Sequence, residues 1–203
     1  MSDEQGLVNQ VIGGLLERAT NQIKLATDGA TDEHLYYRPT ANANSIAWLT
    51  WHLSRLQDLI TSSISGDAQI WYTENWAEQF ALPPDLPNDA TGWADSSEQV
   101  AAFRVERTTL FAYMEAAHRV ARERIARLTP EQLQQTVAWG TAETPLPPAP
   151  AWRVLITLLN DSIQHTGQIN YIRGLVSEPD WRRRAEDARR AADLGRTAAR
   201  GDG

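Results

Sequence analysis

The chain has 203 residues and a formal net charge of −7, with 26 acidic side chains against 19 lysines and arginines. This length suits one domain with a substantial core. The acidic balance argues against a general nucleic-acid-binding protein, which needs a basic face. The absence of cysteine excludes disulfides, thiolate metal ligands and a cysteine nucleophile, so any metal must be bound through nitrogen and oxygen.

No targeting or membrane segment is evident in the sequence. The N-terminus lacks a basic region followed by an apolar run, and no stretch reaches 18 apolar residues. We therefore expect a cytoplasmic protein without a membrane partner or a nucleic-acid partner.

Apolar residues recur at helical spacing in four long segments, which predicts an all-α fold, a four-helix bundle with two long crossing loops. The predicted helices cover about 5–27, 46–63 after a cap at Asn44 or Ser45, about 97–128 after the capping box Ser96-Ser97-Glu98-Gln99, and 152–176. We assign residues 1–178 to the bundle domain. Residues 179–203 are predicted to be a charged C-terminal tail, partly helical or disordered, in which Trp181 docks.

The two crossing segments differ in composition. Residues 65–95 are rich in tryptophan, which indicates a packed connection, and they contain Trp71, Trp76, Trp93, Pro83, Pro84 and Pro87. Residues 142–150 contain four prolines and are predicted to be a loop. No convincing alternation of apolar and polar residues predicts a β-strand.

The last predicted helix carries two polar residues among its apolar ones. Asp161 and His165 are four residues apart, so they project from the same face as Leu158 and Ile172. A carboxylate in an apolar interior costs several kcal/mol unless a partner neutralises it. Either protein groups hydrogen-bond or neutralise this pair, or the pair binds a cation.

His52 on the second helix provides a third inward-facing ligand, since it lies three residues after Leu49 and four before Leu56. Two histidines and one carboxylate with an open position suit catalytic zinc or non-haem iron. The structural alternative is a hydrogen bond between Asp161 and His165 inside the bundle, with His52 bonded elsewhere. Spacing alone does not decide between these interpretations.

Seven further residues have a structural and a functional interpretation. His34 is expected at the surface, and His118 in the core or at its rim. Gly167 in mid-helix costs about 1 kcal/mol relative to alanine, and close helix packing is our interpretation. The remaining candidates for contacting a substrate or orienting a metal ligand are Gln168, Trp48, Arg55 and Arg173. Their structural alternatives are core packing, hydrogen bonding or salt bridging.

Three motifs in this order carry a family resemblance: 44–53 (NSIAWLTWHL), 76–80 (WAEQF) before prolines, and 165–168 (HTGQ). From about Leu7 to Val176 the chain resembles the DinB-like superfamily. The resemblance implies an up-down-down-up four-helix bundle, frequently a homodimer. It also implies a divalent metal bound by His52, Asp161 and His165.

The chain is similar to the N-terminal domain of the mycothiol-dependent maleylpyruvate isomerases, which have a glutamate where this chain has Asp161. Those isomerases have an additional C-terminal domain, for which this chain is too short, so maleylpyruvate is not implied as the substrate. The wider family implies thiol-dependent chemistry, in which a low-molecular-weight thiol attacks a small electrophile. Mycothiol is the thiol that we expect before any other. We expect one divalent ion, zinc before nickel, iron or manganese. The alternatives are a non-catalytic metal-binding bundle with a stress-related binding role and a metal hydrolase.

Overall fold

The four long helices are present in the computed structural model, which describes residues 3–82, 89–142 and 144–190. They are α1 (Asp3–Thr27), α3 (Ile46–Ser65), α7 (Arg107–Ala126) and α9 (Ala151–Val176). The short helices are α2 (Asp32–Tyr36), α4 (Ile70–Thr73), α5 (Trp76–Phe80), α6 (Ser97–Ala102) and α8 (Pro130–Gln134). Two strands, β1 (Thr136–Gly140) and β2 (Pro145–Pro150), complete these elements.

The long helices pack in a ring that confirms the predicted all-α four-helix bundle. Both α1 and α3 pack against α7 and α9, so α1 and α3 lie diagonally opposite. One apolar cluster surrounds Trp51, Phe103 and Tyr113, and a second surrounds Leu16 and Leu158. Helix α3 contributes to both clusters and is buried along nearly its whole length. No helix in the described parts of the chain is long and apolar enough to cross a membrane.

The predicted third helix is two helices, α6 and α7, so the prediction of one continuous helix is wrong. The capping box of Ser96 and Gln99 forms as predicted, but it begins a helix of six residues. The backbone then leaves the helical conformation, and the Tyr36 hydroxyl donates to the Val105 carbonyl at 2.6 Å and accepts from the Val105 N–H at 3.1 Å. These long-range bonds satisfy backbone groups that a continuous helix would otherwise use.

The proline-rich segment is a β-strand and not a loop, which is a second correction. Strand β2 pairs antiparallel with β1, and the register is irregular between Val137 and Trp139. A two-stranded ribbon consists only of edges, where proline is tolerated because no ladder hydrogen bond needs its missing N–H. This explains why the alternation rule missed the hairpin.

The connection over residues 65–95 is packed in its described parts, as its tryptophans predicted. Trp71 is fully buried against Phe80 and Tyr113, Trp76 packs on Tyr113, and Trp93 is half exposed. The prolines named above, Pro83, Pro84 and Pro87, lie outside the described residues.

The start of the predicted C-terminal tail is a helix over residues 181–190. The guanidinium groups of Arg173 and Arg182 lie 5.5 and 5.4 Å from the centroid of the Trp181 ring, and Ala185 is buried. Residues 191–203 lie outside the described residues.

A buried ionic network ties α3 to the connection that follows it. The Asp58 carboxylate accepts hydrogen bonds from the backbone N–H groups of Ile70 and Trp71 at the start of α4. Its oxygens also lie 3.1 Å from an Arg124 nitrogen and 3.7 Å from an Arg55 nitrogen, and all three side chains are buried. One buried carboxylate therefore neutralises part of the charge of two buried guanidinium groups and fixes α4.

We predict that Asp58→Asn lowers the free energy of unfolding by about 3–5 kcal/mol, because it leaves two buried cations without a carboxylate. The measurement is urea unfolding followed by circular dichroism. The matched control is Asp67→Asn, since Asp67 contacts the same Arg124 at 3.6 Å but is half exposed, and it should cost less than about 1 kcal/mol. Equal losses in both variants would contradict the role assigned to Asp58.

Candidate metal centre

His52 lies on the buried face of α3, between residues of the two apolar clusters, and is 3% exposed. The Trp48 ring, one turn earlier, stacks on the imidazole at a centroid distance of 5.0 Å and an interplanar angle of 10°. The inward orientation that the helical spacing predicted is therefore present, and Trp48 fixes the plane of the ring.

The segment 89–95 holds the other side of the His52 ring. The His52 Nδ1 is hydrogen-bonded to the backbone carbonyl of Thr91. A carbonyl oxygen only accepts, so Nδ1 carries the proton and the lone pair of Nε2 is available to a ligand. Gly92 packs directly on both rings, because a Cβ there would lie 2.5 Å from Trp48 and 3.1 Å from His52.

His165 on α9 is fixed in the same way. Its Nδ1 lies 2.8 Å from Oε1 of Gln168, three residues further along the helix. The amide oxygen accepts, so this imidazole also carries its proton on Nδ1 and presents Nε2 as a lone-pair donor. Histidines that bind metals typically make such a hydrogen bond through the ring nitrogen that does not face the metal.

Asp161 completes the group one helical turn before His165. One ligand atom from each of His52, Asp161 and His165 lies within 4.8 Å of the others. The structure thus brings together the three residues that the sequence singled out. The predicted structural alternative is not formed, since His165 bonds to Gln168, and no described residue donates a hydrogen bond to the Asp161 carboxylate.

The electrostatics of the three residues suit a cation. Burial lowers the pKa of His52 to about 4, so its imidazole is neutral at pH 7 and its lone pair is free. Burial raises the pKa of the Asp161 carboxyl, and the nearby His165 lowers it in part. A half-buried carboxylate without a hydrogen-bond donor in the described structure is electrostatically incomplete, and a divalent cation would complete it. The donor set of two imidazoles and one carboxylate therefore fits a divalent metal.

The four residues proposed around the site occupy different positions. Trp48 stacks on His52 and Gln168 bonds to His165, so both contact a candidate ligand directly. Arg173 is buried and directed toward α1, where it bonds to Nδ1 of His34 at 2.7 Å and to the Asp28 carbonyl at 3.3 Å.

Arg55 is fully buried and its donors are occupied. Its Nε donates to the Ala90 carbonyl at 3.0 Å, its Nη1 donates to Gln69 and Tyr113, and its guanidinium lies 4.4 Å from the centroid of Trp71. This environment favours the structural interpretation of Arg55. The residue supports the candidate centre indirectly, because Ala90 precedes the Thr91 carbonyl that orients His52.

The other two histidines have structural partners. His34 is half-buried rather than at the surface, and its Nδ1 accepts from the Thr31 N–H in the capping box of α2. His118 is buried, as the core interpretation predicted, with its Nδ1 3.2 Å from Oε1 of Gln57. Burial lowers the pKa of His118 to about 4.

Two hollows flank the candidate centre. An enclosed cavity, apolar in nearly all of its lining, extends from Asp161 and is bounded by Trp93, Trp139, Leu56 and Leu146. An open groove lies on the Gln168 side. Trp93 of the first crossing segment and residues of the hairpin line the enclosed cavity.

The residues that the sequence reasoning missed are Thr91 and Gly92. The carbonyl of Thr91 acts through its backbone, so side-chain chemistry gives no signal for it. Gly92 has φ +87°, a conformation that favours glycine. The isolated glycine between Thr91 and Trp93 is the one local signal in the sequence for a close approach of the backbone.

A four-helix bundle with two histidines and one carboxylate on its inner faces defines a class of candidate metal-binding bundles. The family model described as the DinB superfamily matches residues 15–169, and the chain belongs to this superfamily. A solved structure described as a conserved protein from Enterococcus faecalis is similar to this chain, with a TM-score of 0.71 and 28% identity over 83% of this chain and 96% of that one. No curated protein matches the chain significantly.

We predict that the purified protein binds about one divalent metal ion per chain and that Asp161→Asn weakens this binding by about 10–100-fold or more. Asparagine keeps the size of the side chain and removes the charge that balances the cation. Asp161→His should retain the metal, because it supplies another nitrogen ligand. The metal content of wild type and of both variants is measured after dialysis against increasing concentrations of a chelator.

His165→Ala should also lose the metal, whereas His118→Gln, a change at a buried histidine outside the centre, should retain it. Wild-type metal content in Asp161→Asn or His165→Ala would show that the ligand assignment is wrong.

Proposed function

We propose that this member of the DinB superfamily is a divalent-metal-dependent enzyme that uses a low-molecular-weight thiol. The thiol would be transferred to a small electrophile or would promote its isomerisation, and mycothiol is the thiol that we propose first. The observation that carries the proposal is the convergence of His52, Asp161 and His165, with each imidazole held through Nδ1. Zinc is the metal we propose first, with nickel, iron and manganese as alternatives.

A divalent cation bound by these residues would supply positive charge that lowers the pKa of a thiol bound beside it. The chain itself contributes no thiol, since it has no cysteine. His52 and His165 contribute neutral donors, and Asp161 contributes one negative charge. The residues therefore reduce the net charge of a divalent centre to +1, which moderates how tightly an anionic thiolate is retained.

The surroundings of the centre favour thiol chemistry over hydrolysis. Hydrolysis at a metal centre commonly uses a base next to the metal ligands to deprotonate water. Among the described residues that line the two hollows, Asp161 is the sole carboxylate, and no lysine, arginine or further histidine lies among them. If Asp161 binds the metal, no separate carboxylate base faces the reactants, and a soft thiolate needs none once it is deprotonated.

An apolar cavity lies beside Asp161, and its walls are indole rings, aliphatic side chains and threonine residues. Its volume is about 20 Å³, which holds about one water molecule and no electrophile. The apolar walls would limit access of water to this flank of the centre.

Thiol transfer is tested with zinc-loaded protein, mycothiol and 1-chloro-2,4-dinitrobenzene. In this reaction a C–S bond forms and the C–Cl bond breaks, and chloride and the thiol proton are released to solvent. We expect a metal-dependent rate above the uncatalysed reaction, and we expect Asp161→Asn and His165→Ala to lose it. His118→Gln is the control that should keep it. Absorbance of the thioether product gives the rates.

Other outcomes identify the alternative functions. Metal binding without any acceleration by thiols would favour a non-catalytic metal-binding bundle. Metal-dependent cleavage of p-nitrophenyl acetate that does not require thiol would favour a hydrolase. Either result would contradict the thiol-dependent proposal.

We also propose that the protein is a homodimer that pairs through α1 and α9. These helices pack side by side, and both carry exposed apolar side chains in their N-terminal halves: Leu7, Val8, Val11, Leu15, Trp152 and Ile156. We call these six residues the α1–α9 face. Contiguous apolar surface of this kind commonly marks an interface.

We predict a mass of twice the 22.7 kDa chain in light scattering at micromolar concentration. Ile156→Glu should give a monomer, because it places a charge in the α1–α9 face. Leu175→Glu is the matched control, since Leu175 is similarly exposed on the same helix but outside that face. A wild-type monomer would overturn the dimer proposal.

A further inference from the structure

Residues 91–95, which we call the clip turn, contact α3 at two positions beside the candidate centre. At the start of the clip turn the Thr91 carbonyl is hydrogen-bonded to Nδ1 of His52. At its end the Asp95 carboxylate accepts a hydrogen bond from Nε1 of Trp48 at 2.9 Å. Trp48 and His52 are four residues apart on α3. The two ends of the clip turn therefore bind residues one helical turn apart.

The backbone of the clip turn is closed by a hydrogen bond from the Asp95 N–H to the Gly92 carbonyl at 3.3 Å. Two of its residues have a positive φ, Gly92 at +87° and Ala94 at +64°. Alanine is unfavourable in this left-handed region, because its Cβ comes close to a carbonyl oxygen. Such a conformation persists only where surrounding contacts hold it. The hydrogen bonds to His52 and Trp48 are contacts of this kind at the two ends.

Trp48 connects the Asp95 carboxylate to the His52 ring. The indole stacks on the imidazole at 5.0 Å between centroids, and Gly92 packs against both rings. The indole Nε1–H can only donate, and a carboxylate is a stronger acceptor than a neutral group, so this bond fixes the rotation of the indole. A fixed indole allows the imidazole one plane, and the Thr91 carbonyl allows it one tautomer.

We propose that Asp95 is a positioning residue of the candidate metal centre. Through Trp48 and the clip turn, it holds the His52 ring in one plane and one tautomer, with Nε2 available to the metal. No local pattern indicates this role, because 47 residues separate Asp95 from Trp48. The inference rests on the metal centre of the proposed function and not on the identity of the thiol or the electrophile.

A purely structural hydrogen bond is the alternative role of Asp95. Its loss would then lower the melting temperature and leave the His52 ring unchanged. The chain offers a matched control, because Nε1 of Trp76 donates to the Glu74 carboxylate at 3.1 Å in an exposed position. Glu74→Ala therefore removes a hydrogen bond of the same chemistry outside the candidate centre.

The first test uses the metal-free protein at neutral pH, in which long-range proton–nitrogen NMR spectra give the tautomer of each imidazole. We expect wild-type His52 to carry its proton on Nδ1 alone. Asp95→Ala should give a mixture of both tautomers, because the clip turn no longer holds the Thr91 carbonyl in place. Asp95→Asn keeps a side-chain oxygen that accepts from Trp48, so it should give the wild-type spectrum. Glu74→Ala should give it as well.

Cobalt binding provides the second test. Asp95→Ala should raise the Kd of Co²⁺ about tenfold, as expected when an outer partner of a metal ligand is removed, and Asp95→Asn should stay within about twofold of wild type. Trp48→Phe keeps a stacked ring and removes the N–H, so it should match Asp95→Ala. The double variant should also lose about tenfold rather than about a hundredfold, because both changes break the same hydrogen bond.

Three results would overturn the positioning role: a single wild-type tautomer of His52 in Asp95→Ala, additive losses in the double variant, or an equal effect of Glu74→Ala. Failure of the metal centre gives a different result, since wild type would then bind no cobalt. In that case the spectra of the metal-free protein decide alone. Mixed tautomers in Asp95→Ala with a wild-type spectrum in Asp95→Asn would support the role of Asp95, and any other pattern would contradict it.

Discussion

The position of His52 depends on a buried carboxylate two turns along the same helix. Asp58 neutralises part of the charge of Arg55 and Arg124 and fixes the first turn of α4. With its charge balanced, the Arg55 guanidinium can remain fully buried and bind the Ala90 carbonyl. The next residue, Thr91, then presents its carbonyl to Nδ1 of His52. A network that stabilises the core therefore also sets the tautomer and plane of a candidate metal ligand.

The centre itself is a balance of burial and charge. Burial keeps His52 neutral and disfavours the ionised form of Asp161. The two helices that supply the ligands, α3 and α9, pack directly against each other, so the separation of the ligand atoms is set by the bundle and not by a mobile loop. A cation that binds there would be compensated by the carboxylate and would meet preoriented imidazoles, and this pre-organisation reduces the entropic cost of binding.

The two flanks of the centre differ in chemistry and in size. The enclosed cavity depends on the β1–β2 hairpin and on the segment around Trp93, which cover one flank of α9 with apolar side chains, and its volume is about 20 Å³. The groove on the other flank is open, has no charged lining residue among the described ones, and has a volume of about 550 Å³. Asp161 borders the first and Gln168 borders the second, one turn on either side of His165. The side of Gln168 therefore has room for a small molecule next to the centre, and the side of Asp161 does not.

The sequence by itself determined three of the four long helices, the capping box at Ser96, and the inward orientation of His52, Asp161 and His165. It could do so because helical periodicity and capping are local. Residues at i, i+3 and i+4 lie on the same face of a helix, and a capping residue interacts with groups within four positions of it. The motifs also indicated the DinB superfamily correctly.

Only the tertiary structure decided the features that depend on distant partners. Tyr36 interrupts the predicted third helix by bonding to Val105, 69 residues away, and β2 becomes a strand because β1 lies beside it. Arg55 is a buried structural cation because Asp58, Ala90 and Tyr113 surround it, and no local pattern encodes that environment. Gly167 was predicted to allow close helix packing, and that prediction is wrong, because the residue is exposed and a Cβ there would meet no other atom within 4 Å. In the other cases a contact far along the chain overrides or completes what the local sequence indicates.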